Sequence, residues 1–235
     1  GSGSSTKTRL LLDALQEPAG YVPIDISKEQ LLDAATELAA RYAALEVLPV
    51  CADYTAYYEV PVPEQPVARR IVYYPGSTIG NFHPEQAQQF LQSVAAICGP
   101  NGGLLIGVDL KKDPVMLHRA YNDAAGVTAA FNLNLLVRIN HELGADFQRD
   151  RFRHYACYNP GASRIEMHLV SLGEQTVHLG DVEIGFKRGE SIWTESSYKY
   201  NLDDFARLAA GAGLEVERVW TDPAQLFSVQ YLTVR

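Results

Sequence analysis

Between residues 21 and 110, short apolar segments alternate with segments of helical spacing, and this alternation restricts the fold more than any other feature. The apolar segments lack the polar alternation of half-exposed strands, so both faces of each strand are expected to be buried. Such strands predict a parallel, doubly wound α/β sheet, which binds ligands at the carboxyl ends of its strands. The predicted strands are 21–26, 45–54, 69–76 and 104–110, and the predicted helices run from Ser27, a candidate N-cap, to Leu45 and from Pro84 to Cys98.

From Lys111 onward the pattern changes. Residues 113–145 have helical spacing with a break at 124–126, and strand-like segments separated by turn residues follow, which predicts antiparallel hairpins. A helix from 202 to 212 and two strands then close the chain. We therefore expect residues 1–110 and 200–235 to form the sheet domain and residues 111–199 to form an inserted α+β lobe. The strand-like segments of the lobe are 151–159, 164–172, 176–179 and 182–190.

The composition argues against several classes of partner. The formal charge is −8 and the sequence pI is about 5.2, with dispersed Lys and Arg, so no nucleic-acid partner is expected. No apolar run reaches the roughly 18 residues that a membrane span requires, and no signal peptide is recognised, so we expect a cytoplasmic protein without a membrane partner. The isolated cysteines Cys51, Cys98 and Cys157 have no ligand spacing, so neither a disulfide framework nor a metal site is expected.

A glycine-rich segment at the start of the sequence stands directly before a helical one. Gly1 and Gly3 permit close backbone approach to a ligand, and Lys7 adds a positive charge. Asp25 and Asp53 end two predicted strands, where acids bind ribose hydroxyls and an adenine amino group. As alternatives, GSGSS resembles a cloning linker, and each Asp has a possible turn or capping role. A native loop of this kind follows a strand, so we expect a separate N-terminal segment to complete the fold.

A longer and more specific motif stands at PGSTIGNF (75–82). This segment resembles the histidine N-α-methyltransferases of ergothioneine biosynthesis, and the resemblance extends nearly end to end. It implies a class I methyltransferase domain with S-adenosylmethionine as cofactor. It also implies a substrate-binding lobe built from an N-terminal segment and an insertion after the fifth strand. The matching segments are GVDLKKDP (107–114), YNDAAGVTAAFNLNLL (121–136), YNP (158–160), RIEMHLVS (164–171) and TESSYKY (194–200).

The resemblance implies binding roles for individual residues. Asn81 and Tyr121 are assigned to the amino-acid end of the substrate, where they are the expected catalytic groups. The family pattern often has Asn where this chain has Ser196. The residues assigned to the imidazole are Met167, Glu195 and Ser197, and those assigned to S-adenosylmethionine are Gly1, Lys7, Asp25, Asp53 and Tyr54.

The chemical types of these side chains suit an amine and an imidazole. Asn81 and Tyr121 can accept and donate hydrogen bonds without fixing a net charge. No strong general base is evident, so water or Tyr121 is expected to take the proton from the amine. Glu195 can accept from a ring N–H while Ser197 bonds the other nitrogen. Two alternatives stay open: Glu195 caps the final helix, and Met167 only fills the core.

Together these assignments predict trimethylation of the α-amino group of L-histidine to give hercynine. A related amino-acid methyltransferase with another substrate, such as a tryptophan derivative, is one alternative. An indole has one N–H and no ring acceptor, so Glu195 and Ser197 argue against it. A ligand-binding fragment that lacks catalysis is a second alternative. A nucleotide-dependent oxidoreductase is disfavoured because the glycine loop lacks the third glycine of that fingerprint.

Overall fold

The computed structural model describes residues 5–235 of the chain. The prolines Pro23 and Pro49 divide the first two predicted strands, since proline cannot donate to a β-ladder. The shorter strands that result form two parallel pairs, β1 with β3 and β2 with β4. The elements of this region are α1 (Thr6–Leu12), β1 (Gly20–Tyr21), β2 (Ile24–Asp25), α2 (Lys28–Arg41), β3 (Glu46–Val47) and β4 (Val50–Cys51).

Ser27 stands at the N-cap position of α2, as predicted, but its side chain makes no capping hydrogen bond. Asp25 Oδ1 instead accepts a hydrogen bond from the backbone N–H of Ser27 at 2.9 Å. This geometry is an Asx turn, which orders the backbone just before the first turn of α2.

A four-stranded sheet with the order β12-β13-β6-β5 forms the centre of the molecule. Strands β5 and β6 are parallel, as predicted. Strand β13 is antiparallel to both β6 and β12, so the sheet is mixed. Strands β12 and β13 are antiparallel because the 222–226 connection between them is too short to cross over to a parallel strand. The elements are β5 (Ile71–Tyr74), α3 (Pro84–Cys98), β6 (Gly103–Asp109), α6 (Leu202–Ala210), β12 (Leu214–Thr221) and β13 (Phe227–Val234).

The core of this region lies between the sheet and helices α3 and α6. Strand β6 is almost wholly buried, which explains its continuous apolar sequence. Helix α3 contributes Leu91, and α6 contributes Phe205, both without measurable exposure. The predicted bounds of α3 are confirmed, because Pro84 begins the helix and Gly99, with a positive φ, ends it.

Residues between β6 and α6 form helices and antiparallel strands. Two helices, α4 (Pro114–Tyr121) and α5 (Val127–Leu143), are separated at the predicted break, where Asp123 accepts hydrogen bonds from the N–H groups of Val127 and Thr128. Helix α5 packs on the strands through a cluster that includes Leu136 and Phe152. The strands are β7 (Phe152–Asn159), β8 (Arg164–Ser171), β9 (Gln175–Leu179), β10 (Val182–Phe186) and β11 (Ser191–Tyr198), arranged as a β11-β8-β7 sheet and a β9-β10 hairpin.

Strand β11 was not predicted, and it carries the chain back to the four-stranded sheet. Tyr200 forms a parallel bridge with Leu110, and its carbonyl accepts the N–H of Lys111 at 2.8 Å. The segments that leave β6 and return toward α6 therefore lie side by side. The division of the chain into a sheet domain and an inserted lobe at this crossing stays a prediction. Within residues 5–235, no helix has the length and apolar character to span a membrane.

Candidate active site

The loop that follows β5 is held tightly against β6. A Cβ atom at Gly107 would lie 2.1 Å from the carbonyl oxygen of Pro75, so only glycine permits this approach. Ser77 has a φ of 57°, which is uncommon for a residue other than glycine, and its Oγ accepts the Asp109 N–H at 2.8 Å. This contact fixes the start of a 3-10 helix, Thr78–Asn81, which ends at the predicted site residue Asn81. Asn81 is exposed at this edge of the sheet.

The same loop also packs on strand β11. Gly80 lies against the backbone of Tyr198, and Tyr198 Oη is 3.0 Å from Nδ1 of His83. Since Asn81 follows Gly80 directly, this contact brings Asn81 to the end of the strand that carries Glu195 and Ser197. Sequence motifs more than a hundred residues apart therefore meet at one place.

Three of the predicted substrate residues lie on one face of the β8–β11 pair. Met167 is the direct cross-strand partner of Glu195, and Ser197 lies two residues along, opposite Ile165. Alternate residues of a strand share a face, so Glu195 and Ser197 point to the same side. A β-bulge between Trp193 and Glu195 sets this register, and bulges commonly re-aim side chains next to active sites.

The environment of Glu195 changes its acidity. Its side chain is half-buried, and burial raises the pKa above the usual 4.5, while the positive charge of Lys199 opposes that shift in part. The alternative that Glu195 caps the final helix is wrong. Helix α6 is capped instead by Asn201, whose Oδ1 accepts the N–H of Asp204 at 2.7 Å.

Met167 and Tyr121 belong to one apolar cluster. Met167 is 3% exposed and packs with the buried residues Leu117, Ala156 and Ile165, and the ring of Tyr121 lies against this cluster. Met167 thus has the core-packing role that its residue type favours. Met167 also lies directly across from Glu195 on the neighbouring strand.

The hydroxyl of Tyr121 links helix α4 to strand β11. Tyr121 Oη donates to Ser197 Oγ at 2.9 Å, and Lys199 Nζ donates to both oxygens at 2.8 Å. Lys199 also forms an ion pair with Asp109 at 2.8 Å. Tyr121, Met167, Glu195 and Ser197 are thus brought together from α4, β8 and β11.

The predicted cofactor residues that the structure describes lie in the part of the chain before β5. Strands β2 and β4 are parallel, and Asp25 and Asp53 stand at or just beyond their carboxyl ends. Asp53 Oδ1 accepts from the backbone N–H and hydroxyl of Thr55, and these hydrogen bonds lower the pKa of Asp53. Both carboxylates therefore make turn hydrogen bonds, as the alternative interpretation predicted. That role is compatible with ligand binding, because a carboxylate accepts several hydrogen bonds.

Tyr54 and Lys7 are placed on either side of β5. The ring of Tyr54 makes edge contacts with Tyr74 and Phe90, and its hydroxyl is 3.3 Å from that of Tyr74. Lys7 is exposed, and its carbonyl accepts from the hydroxyl of Tyr73. Gly1 and Gly3 lie outside the described residues. Two carboxylates at parallel strand ends supply hydrogen-bond acceptors, and Tyr54 beside one of them supplies an aromatic surface, which are the groups that a nucleoside site uses.

Comparison with known proteins identifies the family. The sequence profile described as "Histidine-specific methyltransferase, SAM-dependent" matches residues 1–234. The chain belongs to this family. A histidine N-alpha-methyltransferase of Mycolicibacterium smegmatis is 42% identical over an alignment of 240 positions, which covers 100% of this chain and 74% of that protein. The histidine N-alpha-methyltransferase of Mycobacterium tuberculosis is also 42% identical, over 97% of this chain and 72% of that protein.

The fold of this family member agrees with a solved structure. A S-adenosylmethionine-dependent methyltransferase from Clostridium acetobutylicum aligns over 99% of this chain and 81% of its own, with a TM-score of 0.52 and 11% identity. The class I methyltransferase fold predicted from the sequence is therefore confirmed. The cofactor of the family is S-adenosylmethionine, as predicted.

One group of side chains in the described part of the chain has the chemistry of a metal site. Ligand atoms of Cys157, Glu166 and His168 lie within 4.8 Å of one another. Glu166 already accepts hydrogen bonds from Arg164 and Asn159, and the Arg164 guanidinium pairs with it at 2.7 Å. The positive charge of Arg164 opposes a cation here. The absence of a metal in the function stays a prediction.

Two residues of the site were missed from the sequence, Lys199 and Asp109. Lys199 stands in TESSYKY, within the motif that supplied Glu195 and Ser197, and Asp109 ends the apolar strand β6. An acid at the end of a buried strand was the signal used for Asp25 and Asp53. The same signal applied to Asp109 identifies a charged residue that needs a partner.

Proposed function

We propose that this chain transfers methyl groups from S-adenosylmethionine to the α-amino group of L-histidine, giving trimethylated histidine, hercynine. The proposal rests on the position of Glu195 and Ser197 on the same face of β11. Glu195 lies opposite Met167, and Ser197 accepts a hydrogen bond from Tyr121. A carboxylate and a hydroxyl on one face match the two nitrogens of an imidazole. The family membership supports the same reaction.

Residues of the sheet region would hold the cofactor. Asp25 and Asp53 would accept from the ribose hydroxyls and the adenine amino group, and Tyr54 would line the adenosine site. Lys7, with Gly1 and Gly3 before it, would bind the carboxylate of the cofactor. When bound, S-adenosylmethionine supplies the methyl group.

The remaining residues would orient the substrate. Asn81 and Tyr121 would bind the amino and carboxylate groups of histidine, and Glu195 and Ser197 would hold its ring. Two anchored ends restrict rotation of the molecule, and such orientation can supply several kcal/mol of a barrier. The proton of the amine would leave to water, or to the Tyr121 hydroxyl as that hydroxyl passes its own proton to Ser197 and Ser197 passes its proton to the imidazole nitrogen.

The proposed function also assigns a role to each part of the chain. We propose that residues 111–199 act as the substrate-binding lobe and that residues 1–110 and 200–235 bind the cofactor. A cytoplasmic location remains a prediction from the sequence.

A thermal-shift series tests the choice of substrate. S-adenosylhomocysteine should raise the midpoint of unfolding, and L-histidine should raise it further, because each ligand binds only the folded protein. L-tryptophan should add nothing beyond S-adenosylhomocysteine. A shift with tryptophan that exceeds the shift with histidine would contradict the proposal and favour an indole substrate.

A further inference from the structure

The Lys199 ammonium is almost completely removed from solvent, although lysine is among the residue types least often buried. Its side chain is 2% exposed. It has three N–H donors, and three oxygens surround it at 2.8 Å: Asp109 Oδ2, Tyr121 Oη and Ser197 Oγ. Every donor of this lysine is therefore used inside the protein.

Charge balance around Lys199 explains why it can be buried. Asp109 Oδ2 neutralises Lys199, and Asp109 Oδ1 is 2.5 Å from the ammonium of Lys112. A buried charge is tolerated when it is paired and hydrogen-bonded. Asp109 stands at the end of β6, so the ion pair also joins the four-stranded sheet to the end of β11.

The hydrogen bonds at Ser197 can be counted in full. A serine hydroxyl has two acceptor lone pairs and one donor hydrogen. Ser197 Oγ accepts from Lys199 at 2.8 Å and from Tyr121 at 2.9 Å, which uses both lone pairs. The phenol is the better donor of the two hydroxyls because it is the stronger acid, so Tyr121 donates to Ser197. The hydroxyl hydrogen of Ser197 therefore remains available for donation to a ligand.

We infer that Lys199 is a specificity-determining positioning residue, which makes Ser197 a hydrogen-bond donor and thereby selects a substrate ring with one acceptor nitrogen. This inference rests on the proposed function, in which Ser197 and Glu195 bind the imidazole. Glu195 accepts from the ring N–H, and Ser197 donates to the nitrogen without a proton. A ring that carries an N–H and no acceptor leaves the Ser197 hydrogen unpaired, which is costly in a buried site.

The test is a comparison of two lysine variants, Lys199→Met and Lys112→Met. Both remove a cation paired with Asp109, but only Lys199 contacts Tyr121 and Ser197. Calorimetry in the presence of S-adenosylhomocysteine measures the binding of L-histidine and of pyrrolylalanine, whose ring has one N–H and no acceptor nitrogen. Mass spectrometry of the same proteins with S-adenosylmethionine measures methylation separately.

Lys199→Met should weaken histidine binding by about 10- to 100-fold and reduce the preference for histidine over pyrrolylalanine by a similar factor. The affinity for S-adenosylhomocysteine should stay at the wild-type value. Lys112→Met should keep the wild-type preference. An unchanged preference in Lys199→Met, or an equal loss in Lys112→Met, would overturn the inference.

A second variant covers the case in which Lys199→Met does not fold. The Asp109→Asn/Lys199→Met double variant leaves no unpaired carboxylate and is compared with Asp109→Asn alone. Loss of ring preference only in the double variant supports the inference, and equal preference in the two overturns it.

Failure of the proposed function gives a different result. A wild-type protein that binds histidine without methylating it refutes the function and still permits the comparison of ring preference. Methylation of histidine with an unchanged preference in Lys199→Met overturns only the inference. A wild-type protein that does not bind histidine overturns both.

Discussion

A Cβ atom added to Gly80 would lie 2.7 Å from the carbonyl oxygen of Tyr198. This close approach places the 3-10 helix that ends at Asn81 directly on strand β11. The two regions assigned to opposite ends of the substrate are thus held together by a contact that only glycine permits.

Gly80→Ala should separate these regions. Overpacking of this kind typically costs about 1–3 kcal/mol of stability. A shift of Asn81 relative to Ser197 should lower kcat/KM for histidine on the order of 100-fold. Gly185→Ala is the control, because an added Cβ in β10 meets no atom within 4 Å. Steady-state kinetics and thermal unfolding measure both effects, and wild-type kinetics in Gly80→Ala would show that the contact does not position the site.

Removal of the Glu195 carboxylate should affect one ligand selectively. Glu195→Ala should weaken histidine binding by about 10- to 100-fold, the usual value for a hydrogen bond to a charged group. The affinity for S-adenosylhomocysteine should not change. Glu142→Ala, on the exposed face of α5, is the matched control. Equal losses for the two ligands, measured by calorimetry, would argue against the assignment of Glu195 to the imidazole.

The raised pKa of Glu195 predicts a pH-dependent stability difference. Between the usual pKa of 4.5 and the raised value, the folded state holds a proton that the unfolded state has lost. The Glu195 contribution to stability therefore falls as pH rises through this interval. Glu195→Gln lacks this penalty, so its melting temperature should exceed that of the wild type by more at pH 7 than at pH 4. A difference that is constant or larger at pH 4 would contradict the predicted sign.

A role of Tyr121 in proton removal is tested by Tyr121→Phe. Loss of the hydroxyl should lower kcat by about 100-fold, at the lower end of the usual range for acid–base groups. It should also change the pH–rate profile, because proton removal then depends on water alone. Tyr158→Phe is the control, since Tyr158 packs on the same apolar cluster. An unchanged profile in Tyr121→Phe would remove Tyr121 from proton transfer.

Continuous apolar patterns made part of the fold predictable. Strand β6 and helix α3 were predicted within one or two residues because β6 is buried on both faces and α3 has a proline start and a glycine end. Strands β1 to β4 are shorter than predicted, since prolines interrupt their ladders. Patterns of hydrophobicity do not show where a single missing N–H ends a strand.

Strand β11 shows why the site was harder to predict. Its sequence, SIWTESSY, contains polar residues at positions that face the interior of the site, so no apolar run marks it as a strand. Functional sites are where local pattern and fold commonly disagree. The resemblance to the family supplied Glu195 and Ser197, whereas Lys199 and Asp109 became evident only from their contact in three dimensions.

The activity proposed for this chain is methylation of the α-amino group of L-histidine. Mass spectrometry of L-histidine incubated with the protein and S-adenosylmethionine tests it most directly, with fragmentation to locate the added groups. We expect a product that carries three methyl groups on the α-nitrogen. Unmodified histidine alongside a methylated amino acid of another type, or methyl groups on the imidazole ring, would contradict it.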